Sequence, residues 1–161
     1  MSISPEDFKA AMATRAGGVA IVTSCAGDLR HGMTVTDWAG VSVDPPLVLV
    51  CADKTSNTLG VIDEGGCFAV NVLAAGQEEI SNKFASKKDE WRRFEGLEVE
   101  KGDTGAPLLG CALTSIDCRV EAAHEAGDHR IYVGRVERVV MREGQPLVYF
   151  GGAYQRIEPT Y

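Results

Sequence analysis

The chain has 161 residues, enough for one substantial core and too few for two ordinary domains, so residues 1–161 are read as a single domain. Its 16 basic and 23 acidic residues leave a net charge of −7, which excludes the single-sign basic field of a nucleic-acid binder. No stretch approaches the roughly 18 to 20 apolar residues of a membrane span, so a soluble, cytoplasmic protein with no membrane partner is expected.

Ser4-Pro5-Glu6-Asp7 reads as a helix start, with Ser4 as cap and acids near the positive dipole end; Phe8, Ala11 and Met12 form its apolar stripe. Val19–Thr23 is β in texture, turns near Gly27-Asp28 and returns through Leu29 to Met33. After Pro45-Pro46, the apolar run Leu47–Cys51 is too short for a typical helix and predicts a strand buried on both faces. Asn57 caps a short helix that ends at Gly65-Gly66, and Cys67–Leu73 is a further core strand. A second helix covers Gln77 to Phe84, and residues 85–107 read as a long polar loop. Within it, the mixed-sign run Lys87–Glu95 reads as a solvated face, with Trp91 and Phe94 as packing anchors. Ile116, Cys118 and Val120 alternate with Asp117, Arg119 and Glu121, and Arg130–Val140 returns after Gly127-Asp128 as the second arm of a hairpin. Leu147–Phe150 is the last strand. Many short strands and few short helices predict a mainly β fold, a closed or nearly closed antiparallel barrel.

Chemistry concentrates between Gly32 and Thr58. Thr34, Thr36, Ser42, Thr55, Ser56 and Thr58 place hydroxyls in two loops at either end of the Leu47–Cys51 strand, an arrangement suited to an anion or a flavin edge. Neither GxGxxG nor GxxxxGK[ST] occurs, so a Rossmann turn or a P-loop does not explain the pattern, and no GxSxG elbow points to a hydrolase. The five cysteines contain no CxxC pair and are odd in number, which argues against a disulfide framework or a metal site and for small buried thiols.

Several segments together resemble the flavin reductases of the FMN-binding split β-barrel fold, an antiparallel, Greek-key barrel with a few short flanking helices. They are Gly32–Thr36 with Ser42–Leu47, Lys54–Thr58, Phe68–Leu73 with Ser81–Ala85, Gly127–His129 with Gly134–Val136, and Leu147–Tyr154, in the family's order over nearly the whole chain. The resemblance implies an NAD(P)H-dependent flavin reductase that passes hydride from NADH or NADPH to FMN or FAD and supplies reduced flavin to a separate monooxygenase. It also implies a homodimer with the flavin near the subunit interface. By motif position Thr34, Val35, Thr36, Asp37 and Trp38 border the isoalloxazine or ribityl chain, and Ser56, Asn57 and Thr58 hold the phosphate. Asn71, Val72 and Leu73 back the ring, Ser81 and Phe84 contribute from the next helix, His129 matches the nicotinamide dinucleotide position, and Tyr154 borders the same cleft.

No catalytic side chain is expected, because nicotinamide and flavin carry the hydride chemistry and the protein stacks them at roughly 3 to 3.5 Å. Asp37-Trp38 departs from the family's smaller residues. The carboxylate is expected to face ribityl hydroxyls, solvent or backbone, and the indole to stack on the flavin and slow its release. Other readings stay open: a protein that retains its flavin and reduces a metal complex, corrinoid or quinone, or a non-catalytic flavin-binding redox module. His31 and His124 receive no role.

Overall fold

The computed structural model describes residues 3–158. In chain order the elements are α1 (Pro5–Met12), β1 (Gly17–Gly18), β2 (Ala20–Ala26), β3 (Leu29–Val35), β4 (Trp38–Val43), β5 (Pro46–Asp53), α2 (Thr58–Gly65), β6 (Cys67–Val72) and α3 (Glu78–Ala85). A 3-10 turn at Glu90–Arg92 follows, then β7 (Val99–Lys101), β8 (Pro107–Leu109), β9 (Thr114–Ala126), β10 (His129–Met141), β11 (Val148–Phe150) and β12 (Ala153–Gln155).

Seven strands form one antiparallel sheet in the order β3-β2-β6-β9-β10-β5-β4. The hairpin expected around Gly127-Asp128 is its longest ladder, and Gly127 has the positive φ of 62° that a tight two-residue turn needs. The β3-to-β4 and β5-to-β6 connections join strands that are not neighbours, which gives the sheet its Greek-key character. The sheet curls so that Met33 and Val35 of β3 pack in one core with Val48, Val50 and Ala52 of β5, Phe68 and Val70 of β6, and Tyr132 of β10. Yet β3 and β4, the two edges, do not pair with each other, so the barrel is split along that seam. The split antiparallel barrel is thus as expected.

β6 is buried at every position because the barrel interior covers one face and a second layer covers the other. That outer layer brings Phe84 of α3, Phe94, Leu109 and Leu147 against Val19, Ile21 and Leu73. A polar clip joins the layers. The Asn71 amide donates to Ile21 O at 3.1 Å and Thr23 Oγ1 at 2.9 Å, while its oxygen accepts from Leu109 N and Ser115 Oγ, both at 2.9 Å. All of its hydrogen-bonding capacity is used in a residue with no exposed surface.

Several expectations change. β5 is not buried on both faces: Val48, Val50 and Ala52 point into the barrel, while Leu47, Leu49 and Cys51 are half-buried on an outer face that no second layer covers. Residues 85–107 are not one loop, since they hold the 3-10 turn, β7 and the start of β8, elements too short to show a period. Asp117 does not face solvent; it accepts from Thr104 N at 2.9 Å and from the Thr104 hydroxyl, under a lid formed by residues 102–104. Helix α1 has the expected Ser4 cap, with Asp7 N donating to Ser4 Oγ at 3.0 Å, but its stripe is not packed: Phe8 and Met12 are exposed. No helix among the described residues is long and apolar enough to cross a membrane.

Asn71→Ala strands the Leu109 N–H in a dry site and is expected to lower the unfolding free energy by about 2 to 4 kcal/mol. Urea unfolding checks this, and a loss below about 0.5 kcal/mol, the level of an ordinary surface change, removes the clip's importance.

Candidate functional site

Thr36 and Asp37 lie in neither ladder. The chain from Leu29 to Val43 pairs first with β2 and then with β5, and these two residues span the seam between. Their backbone is held from one side only, by Cys51 N donating to Asp37 O at 2.9 Å. Three concavities meet here. One, of about 280 Å³, runs from Met33–Asp37 past Thr55 and Ser56 to Phe84, Lys87, Glu90, Arg93 and His129. A second, of about 730 Å³, lies between α1 and the β11–β12 turn and shares Thr36, Asp37, Cys51 and His129 with the first. A third, of about 320 Å³, holds Thr34–Thr36 with Ser81, Tyr149 and Tyr154.

The structure therefore brings Thr34, Val35, Thr36, Asp37, Ser56, Phe84 and His129 to one cleft, with Ser81 and Tyr154 on the far side of the Thr34–Thr36 ridge. The Thr34 hydroxyl donates to Ser81 O at 2.6 Å, and the Tyr154 hydroxyl donates to Asn82 Oδ1 at 2.8 Å and lies 2.9 Å from Ser81 Oγ. The Asp37 carboxylate is paired with Arg15, whose cation answers the question of what offsets a negative charge at this position. His129 Nδ1 is 2.7 Å from Asp128 Oδ1, at the junction of the first and second concavities. That contact holds the Asp128 carboxyl below its ordinary value.

Other expected residues are elsewhere. Asn71, Val72 and Leu73 belong to the two core layers and do not line the cleft, because β6 is a central strand covered on both sides. Thr58 has no exposed surface, and its hydroxyl is 2.8 Å from His31 Nδ1. Asn57 does not cap α2 with its side chain; its amide donates to Glu90 Oε2 at 2.8 Å. Half-buried Trp38 packs against the barrel core, its indole N–H donates to Gly18 O at 3.0 Å, and it is not among the residues lining the cleft.

Sequence reasoning missed the groups beneath the Asp53–Thr58 loop. Arg93 is only 3% exposed; it donates to Gly32 O at 2.8 Å and to Glu90 Oε1 at 3.0 Å, and its Nε has no partner. Glu90 also receives Asn57 and stands 3.2 Å from His31 Nε2. The hydrogen bond from Asn57, then Arg93 and His31, holds the Glu90 carboxyl below its ordinary value, while burial and then Arg93 push the His31 imidazole down. Lys87 Nζ reaches Thr55 Oγ1 at 3.2 Å across the cleft. The mixed-sign run is thus a solvated face only in part: Lys87, Lys88, Asp89, Arg92 and Glu95 are exposed, while Glu90 and Arg93 are not. Glu90 and Arg93 are three residues apart in a 3-10 turn, where such positions eclipse, and both turn inward. Phe94 does pack, edge-on to Phe84 with centroids 5.3 Å apart, whereas Trp91 is exposed. The i, i+3 pairing of Glu90 with Arg93 was the available signal.

These residues fit a flavin phosphate. One end of the cleft offers hydroxyls from Thr55 and Ser56 with the cations Lys87 and Arg93, including a buried guanidinium N–H still without an acceptor; the other end offers Val35, Met33 and Phe84. A lowered His31 makes the neutral form the folded one, so its stabilising effect is complete above the unfolded value of 6.5 and falls as pH drops through 6.5 toward the lower folded value. His31→Gln is expected to flatten that part of the profile of melting temperature against pH. An unchanged profile in the variant overturns the role given to His31.

Residues 12–158 match the flavin reductase like domain family. The chain is 40% identical over 149 residues to the FMN reductase (NADH) SmoA of Agrobacterium fabrum, covering 92% of this chain and 84% of that protein. It is 39% identical over 153 residues to the reductase component of 4-hydroxyphenylacetate 3-monooxygenase from Thermus thermophilus, covering 94% and 96%. Among solved structures, the Streptomyces globisporus NADH:FAD oxidoreductase SgcE6, in complex with NAD and FAD fragments, superposes with a TM-score of 0.89 at 30% identity over 99% of this chain and 98% of that one. With the split barrel, the seam cleft and these likenesses in hand, the chain belongs to the flavin reductase like domain family.

Proposed function

We propose that this protein is an NADH-dependent flavin reductase whose reduced flavin serves a separate oxygenase component, with the flavin lying along the seam at Thr34–Asp37. The observation that carries the reading is the pair of residues released from both ladders, Thr36 and Asp37, at the point where the concavities meet. The bound flavin supplies the hydride acceptor, so the chain needs no base or nucleophile of its own. What the residues do is position and balance charge. The N–H groups of Thr36 and Asp37, which no strand takes up, are available to the negative charge that develops on reduction. Ser56, Lys87 and Arg93 take the phosphate, and Glu90 holds Arg93 in place for it.

His129 stands where the small concavity opens into the larger one, which suits it to the nicotinamide dinucleotide; Arg15 and Lys9 are the cations of that larger wall. The same wall carries exposed Phe8, Met12, Tyr149 and Phe150, apolar surface that supports a second copy of the chain as its cover in a homodimer. Five free thiols support a cytoplasmic setting.

Anaerobic titration with NADH in the presence of stoichiometric FMN is expected to bleach the visible flavin band at a catalytic rate; bound flavin that stays oxidised overturns the reading. Lys87→Ala is expected to weaken FMN binding about tenfold, a loss of roughly 1.4 kcal/mol, and to leave riboflavin, which has no phosphate, unchanged. Equal weakening of both ligands places the phosphate elsewhere. His129→Ala is expected to raise the KM for NADH with the FMN dissociation constant unchanged, and a raised FMN constant instead assigns His129 to the flavin.

A further inference from the structure

Away from the cleft, a groove of about 750 Å³ opens between the β2–β3 turn, the end of α2 and the β7–β8 segment, and both Cys25 and Cys67 are on its wall. The β2–β6 ladder pairs Ala20 with Val72 and Thr23 with Ala69. The paired residues end at Thr23–Ala69; continued two residues on, the same register brings Cys25 opposite Cys67, and the two thiols are within hydrogen-bonding reach of each other. Hydrogen bonds keep the strands together there: the Ser24 hydroxyl donates to Cys67 O at 2.7 Å, and the Cys67 thiol is 3.9 Å from Cys25 O. Directly opposed residues in antiparallel strands share a face with Cα atoms about 4.5 to 5.5 Å apart, inside the roughly 4.4 to 6.8 Å that a disulfide spans.

The surroundings hold this geometry and leave it reachable. A Cβ on Gly65 would fall 1.8 Å from Cys25 O, so the end of α2 rests directly on the Cys25 backbone. The neighbouring side chains are small, Ala69 and Ala106 with Leu108, and the Cys25 thiol donates to Gly105 O at 3.0 Å. Cys25 is half-buried on the groove wall, whereas Cys67 is 1% exposed behind it. Cys51, Cys111 and Cys118 lie in the cleft, the outer layer and the barrel core.

We propose that Cys25 and Cys67 form a reversible, peroxide-oxidised dithiol. The source of peroxide rests on the flavin reductase reading: dihydroflavin released by the enzyme gives two hydrogens to dioxygen, returning oxidised flavin and hydrogen peroxide. The Cys25 thiolate attacks one peroxide oxygen, forming an S–O bond as the O–O bond breaks and hydroxide leaves to become water with the thiol's proton. The Cys67 thiolate then attacks the Cys25 sulfur, the S–S bond forms, the S–O bond breaks and a second water leaves, carrying the Cys67 proton. Two thiols are oxidised by two electrons and one peroxide is reduced to two waters. A thiol reductant reverses the step. Burial, and next the neighbouring Cys67, push the Cys25 thiol up, so the pair answers sustained peroxide and reacts faster as pH rises.

The test uses the reduced full chain without flavin, so that its result is independent of reductase activity. After treatment with hydrogen peroxide, free thiols are alkylated and peptides mapped without reduction. The expected result is a Cys25–Cys67 cross-linked peptide that dithiothreitol removes, with an oxidation rate rising about tenfold per pH unit below the thiol pKa. Cys67→Ser is expected to leave a sulfenic acid on Cys25 that dimedone traps, and Cys51→Ser to leave the cross-link intact. All five thiols remaining free, or a cross-link between any other pair, overturns the proposal. NADH oxidation with FMN, measured on the same preparation, reports on the reductase reading separately.

Discussion

The exchange of strand partners at Thr36–Asp37 is the constraint on which the site depends. Two residues separate β3 from β4, a spacing that in a flat sheet would make a hairpin. Instead the chain passes from β2 to β5 across the barrel's seam, closing the curl while leaving one stretch of backbone outside any ladder. Buried backbone groups must find partners, so a stretch like this persists only at a surface where solvent or a ligand supplies them. The corner is fastened from outside by Arg15 on Asp37, by Trp38 Nε1 on Gly18 O, and by Gly17, where a Cβ would sit 3.3 Å from Thr36 Cβ. Barrel closure and the seam cleft are one geometric event.

Charge around the seam is balanced and not uniformly basic. Asp37, Asp53 and Glu90 share the cleft with Lys87, Arg93 and His129. A buried guanidinium is costly without a carboxylate, and Glu90 meets that requirement while also drawing in Asn57 and His31. The arrangement ties the 3-10 turn to the Asp53–Thr58 loop and so holds this side of the cleft in order. Asp53 plays a similar part within its own loop, accepting from Thr55 N at 2.7 Å, a bond that holds its carboxyl below the ordinary value.

Burial is uneven across the sheet, and the unevenness follows function. β2 and β6 are sandwiched between the barrel interior and the α3 layer, and Asn71 joins the two layers at its centre. On the other side β4 and β5 keep an open outer face, and α1 displays Phe8 and Met12 to solvent. The stiff half carries the ridge of Thr34–Thr36; the open half carries the apolar wall of the larger concavity.

Local signals in the sequence determined a good deal: the Ser4 cap, the Gly127-Asp128 turn, the alternating arms of β9 and β10, and the hydroxyl-bearing segments whose order marks the family. Each depends on residues adjacent in the chain, where propensity and periodicity act directly. The tertiary structure alone decided which of those segments reach the cleft. Period two says that Asn71 and Val72 face opposite ways, but not that both faces of β6 are covered; it cannot say that Trp38 turns inward, or that Arg93 and His31 meet under a loop 35 or more positions from one of them. Burial is a property of what packs over a residue, and for this chain those covers come from distant elements, so the chemistry was legible in the sequence while its placement was not.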